Sequence, residues 1–154
     1  MIPEPARPSA VLMVCTGNIC RSPTMEAVAR HRIRELGLAI RVDSAGTTGW
    51  HEGEPPDPRT IETGEAAGFE LRGLRARKVR REDFAEFDLI LAADQGHLEA
   101  LRRLAPAEAL GRIRLFLGDR DLPDPYYGPR EGFDHVLGLV RERLARWHGD
   151  RDGF

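Results

Sequence analysis

Cysteine is scarce in this sequence, with only Cys15 and Cys20 among 154 residues. The two thiols lie five residues apart, so they cannot join distant segments, and a fold stapled by disulfides is excluded. We therefore interpret one or both as reactive thiols in a reducing compartment. The spacing leaves open whether the two form a regulatory disulfide with each other.

Long hydrophobic runs and an excess of one charge are also lacking. No apolar stretch approaches the roughly 20 residues that span a bilayer, and residues 1–10 contain no hydrophobic signal-peptide segment, so we expect a cytoplasmic protein without a membrane partner. The 23 basic residues nearly balance the 25 acidic ones, which predicts no general attraction to nucleic acid. The five histidines are dispersed without zinc-site spacing, so we expect no metal and no other cofactor.

Short apolar segments alternate with amphipathic ones over residues 10–149, which we expect to form one domain, with residues 1–9 and 150–154 as flexible ends. The pattern predicts strands at 11–14, 40–42, 89–92 and 113–117, and helices near 23–36, 58–67, 95–104 and 133–147. Such alternation is typical of an α/β fold, here a four-stranded parallel sheet with helices on both faces. Ligands of these sheets bind beyond the carboxyl ends of the strands.

The segment after the first predicted strand carries the strongest chemical signal. It reads CTGNICRSP over residues 15–23, and we call residues 15–22 the phosphate loop. Ser22 and Pro23 predict a helix start, whose positive end can join the backbone N–H groups of the loop in surrounding an anion. Gly17 permits a tight turn. Arg21 can hold two phosphate oxygens at once, which a lysine cannot.

In this setting Cys15 is a candidate nucleophile. The positive surroundings favour its thiolate, which could attack a bound phosphate and form a phosphocysteine intermediate. Ser22 could donate a hydrogen bond to that thiolate. A cysteine and an arginine at this spacing also occur by chance, but the internal glycine and asparagine and the Ser-Pro helix start favour the catalytic interpretation. For Cys20, a packed structural thiol is at least as good an interpretation.

Asp124 is the candidate acid that would protonate a leaving phenolate. It lies in DLPDPYYG, residues 121–128, which we call the acid loop; this loop follows the last predicted strand and can reach the same edge of the sheet. Asp before Pro is also common in ordinary turns, so its position alone does not decide its role. Tyr126 and Tyr127 favour the catalytic interpretation, because they could wall a pocket for an aryl ring.

Read together, these segments resemble the low-molecular-weight protein tyrosine phosphatases over nearly the whole chain. The matching stretches are VCTGNICRSP (14–23), VDSAGTTGW (42–50), EPPDPR (54–59), REDFAEFDLILAAD (81–94) and DPYYG (124–128). The resemblance implies metal-independent hydrolysis of phosphotyrosine in proteins or peptides, with phosphate or another oxyanion in the active site. It implies Cys15 as nucleophile, Arg21 as phosphate clamp and Asp124 as acid.

The resemblance also implies supporting roles. Asn18 and Ser44 would hold the phosphate loop in shape, and Ser22 would stabilise the thiolate. The implied substrate-binding residues are Thr16, Gly17, Asn18, Ile19, Cys20, Ser22, Ser44, Trp50, Tyr126 and Tyr127. Asp94 matches a family aspartate near the loop, although a helix N-cap role explains it equally well. Many members carry a histidine where this chain has Leu74, which predicts a smaller supporting network.

Three alternatives remain beside phosphotyrosine hydrolysis. Thioredoxin-coupled arsenate reduction would need cysteines downstream of Cys20, and the sequence has none. Phosphoarginine hydrolysis is disfavoured by Ile19, since protein-arginine phosphatases of this family carry a threonine there. A catalytically silent phosphate-binding module is disfavoured by the presence of Cys15, Arg21 and Asp124 together.

Overall fold

The computed structural model describes residues 7–154, in which strands and helices alternate as the sequence predicts. In chain order the elements are β1 (Ala10–Cys15), α1 (Arg21–Leu36), β2 (Arg41–Gly46), α2 (Pro58–Ala66), α3 (Asp83–Glu86), β3 (Leu89–Ala92), α4 (Gln95–Leu104), a 3-10 helix (Ala107–Arg112), β4 (Ile113–Leu115) and α5 (Glu131–Ala145). The largest difference from the predicted bounds is at β2, which extends to Gly46 although the pattern predicted its end at residue 42. The last helix begins at Glu131 and not at Phe133.

The four strands form one parallel sheet in the order β2-β1-β3-β4. Strand β2 lies on one side of β1, and β3 lies on the other. The direction in which the chain crosses the sheet therefore reverses at β1. A crevice opens at such a reversal, beyond the carboxyl ends of the strands. Cys15 is the last residue of β1 and therefore stands at that crevice.

Helices cover both faces of the sheet, which confirms the predicted α/β architecture. Alternate residues of the central strands point to opposite faces. On one face Met13 packs with side chains of α1 and α5, and on the other face Leu12 packs with side chains of α3 and α4. Because β1 is buried on both faces, its position and the loop that follows it are fixed by packing.

The helix ends follow the predicted signals with one exception. Asp57 caps α2 with Pro58 at the first helical position, and Gly37 ends α1 in the left-handed conformation. Helix α1, however, begins at Arg21, so the prediction that Ser22 is its N-cap is wrong. The Ser22 hydroxyl contacts Asn18 and Cys15 instead, and no side chain caps the start of α1.

The two ends of the domain lie close to its body where the structure describes them. Most of the predicted flexible amino-terminal arm, residues 1–6, lies outside the described residues. At the other end Phe154 packs against Phe116 and Trp147, with ring centroids 5.8 and 5.4 Å apart. This contact differs from the frayed tail that the sequence suggested for residues 150–154. None of the helices within residues 7–154 is both long and apolar enough to cross a bilayer.

Candidate active site

The phosphate loop makes its tight turn at Asn18, which has a φ of +58°. This left-handed conformation is uncommon for residues other than glycine, although asparagine tolerates it best. Gly17 serves a different purpose from the one its sequence position suggested. A Cβ on Gly17 would lie 2.8 Å from Cδ2 of His51, so glycine leaves the space that this ring occupies.

The buried Asn18 amide holds the loop through three hydrogen bonds. Its Oδ1 accepts from the backbone N–H of Arg77 at 3.0 Å, which fixes the orientation of the amide. Its Nδ2 donates to the hydroxyl oxygens of Ser22 and Ser44, at 2.7 and 2.9 Å. These three bonds offset the strain of the left-handed backbone and tie the loop to β2 and to the segment after α2.

The hydrogen bonds donated by Asn18 determine where the hydroxyl protons of Ser22 and Ser44 can point. Because the Ser22 oxygen accepts from Asn18, its own proton is free to donate to Cys15 Sγ, which lies 3.0 Å away. At the other end, the Ser44 hydroxyl donates to the buried carboxylate of Glu26. Burial raises the pKa of Glu26, while the hydrogen bond from Ser44 and the neighbouring Arg30 oppose the rise. When Cys15 is a thiolate, the Ser22 hydroxyl is therefore the donor in the contact between the two.

Leu74 is half-buried, and every polar atom of the Asn18 amide has a partner without it. Glu26, which was not predicted as a site residue, supplies the outer anchor of the network. Its position four residues after Ser22, on the same face of α1, is the sequence signal that could have identified it.

The Arg21 guanidinium is bound on the side away from the pocket, so its remaining part faces the pocket. Its Nη1 donates to Asp94 at 2.8 Å and to the carbonyl oxygen of Leu122 at 2.9 Å. Its Nη2 lies 3.8 Å from Asp124, whose side chain is 46% exposed. Burial would raise the pKa of Asp94, but the hydrogen bond from Arg21 and the nearby His97 hold that pKa below its ordinary value. Asp94 therefore stays charged opposite Arg21.

Asp94 also caps α4, so both sequence interpretations of this residue hold. Its carboxylate accepts from the backbone N–H of His97, and its own backbone N–H donates to Nδ1 of His97. Nδ1 also lies 3.1 Å from an Asp94 carboxylate oxygen, to which a protonated Nδ1 would donate. The backbone N–H of Asp94, however, can only donate, so Nδ1 has to be its acceptor. We therefore assign the lone pair to Nδ1 and the proton to Nε2.

His97 joins α4 to the phosphate loop, which the sequence did not reveal. The residue is 4% exposed, and its Nε2 lies 2.7 Å from the hydroxyl of Thr16. With the proton on Nε2, the ring donates to Thr16 and stands 3.5 Å from Nη2 of Arg21. Burial and the charge of Arg21 together lower the pKa of His97 to about 4, against the opposing effect of Asp94. The ring is therefore neutral at physiological pH.

One pocket collects most of the predicted site residues. Its lining comprises Cys15, Thr16, Gly17, Ile19, Cys20, Arg21, Trp50, His51, Asp124, Tyr126 and Tyr127. The other predicted residues, Asn18, Ser22 and Ser44, are buried behind the loop. Tyr126 and Tyr127 meet edge to face with centroids 4.8 Å apart. Trp50 is 76% exposed and Tyr127 is 91% exposed, so these rings form the rim of the pocket.

The acid loop is braced against the phosphate loop by Asp57 and Arg59. The backbone N–H of Asp57 donates to the carbonyl oxygen of Ile19 at 2.8 Å, and its carboxylate binds the Arg59 guanidinium. Arg59 in turn donates to the carbonyl oxygen of Tyr126 at 3.2 Å and lies over the ring of Phe133. This brace couples the two loops that carry Cys15 and Asp124.

The second cysteine is chemically different from the first. Burial raises the pKa of the Cys20 thiol to about 12, so Cys20 remains protonated at neutral pH. Its side chain packs in a small apolar cluster with Ile19, Ala76 and Phe133. Among residues 7–154, no group of three or more His, Cys, Asp and Glu side chains is arranged to hold a metal ion.

The comparison with known proteins agrees with this geometry. Residues 10–151 match the family model described as low molecular weight phosphotyrosine protein phosphatase. The low molecular weight protein-tyrosine-phosphatase of Streptomyces coelicolor is 49% identical over 141 residues, which cover 84% of this chain and 85% of that protein.

Solved structures show the same fold. A protein tyrosine phosphatase from Entamoeba histolytica, with Hepes in its active site, superposes with a TM-score of 0.84 at 34% identity, covering 88% of this chain and 91% of that one. Wzb of Vibrio vulnificus, in complex with benzylphosphonate, superposes with a TM-score of 0.83 at 34% identity, covering 91% and 97%. The chain therefore belongs to the low-molecular-weight phosphotyrosine protein phosphatase family and is an enzyme of that family.

Proposed function

We propose that this enzyme hydrolyses phosphotyrosine in proteins or peptides through a phosphocysteine intermediate, without a metal ion. The observation that carries the proposal is that Cys15, Arg21 and Asp124 line one pocket, with the Ser22 hydroxyl 3.0 Å from Cys15 Sγ. The phosphate would lie in the phosphate loop at the uncapped start of α1, where backbone N–H groups and the helix dipole favour an anion.

In the first step the Cys15 thiolate attacks phosphorus, the S–P bond forms, and the bond between phosphorus and the phenolic oxygen breaks. Protonated Asp124 gives its proton to the departing oxygen, so a neutral phenol leaves. The part of Arg21 that is not bound to Asp94 and Leu122 holds the equatorial oxygens, whose charge it offsets in the transition state.

In the second step the Asp124 carboxylate accepts a proton from water, and the resulting hydroxide attacks phosphorus. The S–P bond breaks, inorganic phosphate leaves, and Cys15 returns as a thiolate. The Ser22 proton then stabilises the sulfur at the moment it regains its charge. Because the cycle depends on a free thiol, we propose a reducing compartment such as the cytoplasm as its location.

The aromatic rim supports an aryl substrate. Tyr126 and Tyr127 could stack on the ring of phosphotyrosine, an arrangement that contributes roughly 0.5–1.5 kcal/mol per aromatic pair beyond area burial. Benzylphosphonate, whose phenyl ring is joined to phosphorus through one methylene, is the compound bound to the Vibrio vulnificus relative.

The deciding experiment measures hydrolysis of a phosphotyrosine peptide and of p-nitrophenyl phosphate by wild type and by Cys15→Ser, each with and without EDTA. We expect wild-type activity that EDTA leaves unchanged, and loss of turnover in Cys15→Ser with vanadate binding retained. Rapid-quench mass spectrometry of wild type should detect a phosphate adduct on Cys15. Substantial turnover by Cys15→Ser, or strong inhibition by EDTA, would contradict the proposal.

A further inference from the structure

A second concave surface opens into the active-site pocket. Ile19, His51 and Tyr126 line both the pocket and this surface, so the two are continuous at the mouth of the active site. From there the surface extends along residues 54–58 and the exposed face of α2 as far as Arg72. We call this extension the side groove.

The floor of the side groove is apolar and its backbone offers few donors. Pro55, Pro56, Pro58 and Ile61 supply the apolar surface. Three of these four residues are prolines, which have a carbonyl oxygen but no backbone N–H. A ligand that lies along this floor therefore meets acceptors and hydrocarbon, and it has to bring the hydrogen-bond donors itself.

The charge of the side groove is acidic. Glu54, Asp57, Glu62 and Glu65 contribute four carboxylates to its lining, against the single guanidinium of Arg72. Asp57 is committed to Arg59 in the brace between the loops, and Glu54 lies 2.7 Å from Nδ1 of His51 in an exposed contact. Glu62 and Glu65 form ion pairs with Arg130 and Arg72 at 2.7 and 2.8 Å, but these pairs lie in solvent. Exposed pairs of this kind contribute little, so the two glutamates can exchange partners at small cost.

We propose that the side groove binds an extended, basic segment of the substrate polypeptide that adjoins the phosphotyrosine. A phosphotyrosine in the pocket is attached to a chain that must leave across the rim, and the side groove is continuous with that exit. Lysine or arginine side chains would donate hydrogen bonds to the carbonyl oxygens of the proline floor and to the glutamate carboxylates. Their methylene stems would cover Ile61. The inference rests on the proposed function, because it names the substrate class of the same site.

The test compares kcat/KM for matched phosphotyrosine peptides that carry lysines, glutamates or neutral residues beside the phosphotyrosine, with p-nitrophenyl phosphate as the substrate that lacks a flanking chain. We expect wild type to prefer the lysine peptide over the glutamate peptide. In Glu62→Gln/Glu65→Gln this ratio should fall by about 1.5- to 5-fold per removed carboxylate, the range that exposed ion pairs supply. Raised salt should shrink the same ratio.

The matched control is Glu99→Gln/Glu142→Gln, which changes the net charge equally at two exposed sites outside the side groove. It should keep the wild-type ratio, and neither double variant should alter kcat/KM for p-nitrophenyl phosphate. Equal wild-type rates on the two charged peptides, or equal effects of the two double variants, would overturn the inference. So would a change of oligomeric state in Glu62→Gln/Glu65→Gln, since a second copy would then occupy the groove. Failure of the proposed function is distinguishable, because wild type would then hydrolyse none of these substrates.

Discussion

The imidazole of His97 lies 2.7 Å from the hydroxyl of Thr16, so the first turn of α4 directly supports the residue that follows the candidate nucleophile. The same ring stands 3.5 Å from Arg21. His97 therefore acts on the phosphate-binding groups as a positioning residue.

His97→Ala should weaken phosphate and vanadate inhibition and raise KM more than it lowers kcat, because it removes a donor that orients ground-state binding groups. An uncharged hydrogen bond of this type contributes about 0.5–1.5 kcal/mol, which corresponds to roughly 2- to 12-fold in affinity. His97→Gln, which can still donate to Thr16, should recover most of the loss. Thr16→Val tests the same contact from the other side. Effects of His97→Ala and Thr16→Val that add fully in the double variant would show that the two side chains are not coupled.

The buried His97 should also make stability depend on pH. Its pKa is lowered to about 4 in the folded protein, against about 6.5 in the unfolded chain, so the unfolded state binds the proton first. Stability is therefore lost as pH falls from about 6.5 to 4, by about 2–3 kcal/mol at most. Urea unfolding of wild type and His97→Gln at pH 7 and pH 4.5 measures this loss. The variant should lose less stability over the same range, and equal losses would contradict the assignment of a neutral, buried ring.

Asp124→Asn should lower kcat by about 10²–10⁴-fold for substrates with poor leaving groups, because no acid then protonates the departing oxygen. The loss should shrink for activated aryl phosphates, whose leaving groups need less protonation. The measurement is kcat over a series of aryl phosphates of graded leaving-group pKa. Asp119→Asn, an exposed change just before the acid loop, serves as control. A loss of the same size across the whole series would indicate a structural role for Asp124.

Ile19 should disfavour phosphoarginine as a substrate. Its side chain lines the pocket and packs beside Tyr126, and it presents only hydrocarbon where a threonine hydroxyl could orient water. Wild type should therefore strongly prefer phosphotyrosine over phosphoarginine peptides in kcat/KM. Ile19→Thr should shift the ratio toward phosphoarginine, while Ile19→Val, which has nearly the shape of threonine without its hydroxyl, should not. Comparable wild-type rates on both peptides would refute this prediction.

Alkylation should distinguish the two cysteines. With a pKa of about 12, Cys20 has a thiolate fraction of only about 10⁻⁵ at pH 7, and the thiolate is the species that reacts. Iodoacetamide followed by peptide mapping should therefore modify Cys15 first, and added phosphate should protect Cys15. Modification of Cys20 at the same rate as Cys15 would show that its burial does not suppress its reactivity.

The fold follows from signals that act over short distances along the chain. Continuous apolar runs such as residues 11–14 predict buried parallel strands, and Asp57 with Pro58 and Gly37 mark helix ends, because capping and backbone strain depend on neighbouring residues. The proximity of Cys15 and Arg21 could be predicted in the same way, because both lie in one strand-loop-helix unit. The position of Asp124 near Cys15 could be predicted only from the parallel sheet, because the sheet brings the acid loop to the edge where β1 ends.

The remaining parts of the site depend on contacts between elements, which single-sequence patterns do not specify. His97 reaches Thr16 because β3 pairs with β1, and Glu26 reaches Ser44 because β2 pairs with β1 on the other side. The strand order was not predicted, so neither contact was. The local pattern also favoured Gly17 for the tight turn, although Asn18 adopts the left-handed conformation with the help of Ser22 and of the distant Ser44 and Arg77.

The carboxylate of Asp88 receives hydrogen bonds from the backbone N–H groups of Ser9 and Ala10 and from the guanidinium of Arg151. One side chain thus holds Ser9 and Arg151 together at the start of β1, whereas Cys15 ends the same strand about five residue steps away, or roughly 16 Å along it. A fluorophore or surface tether attached through the exposed residue Ser9 would therefore project from the side remote from catalysis. Enzyme immobilised through such a tether should keep its cleft accessible to large protein substrates.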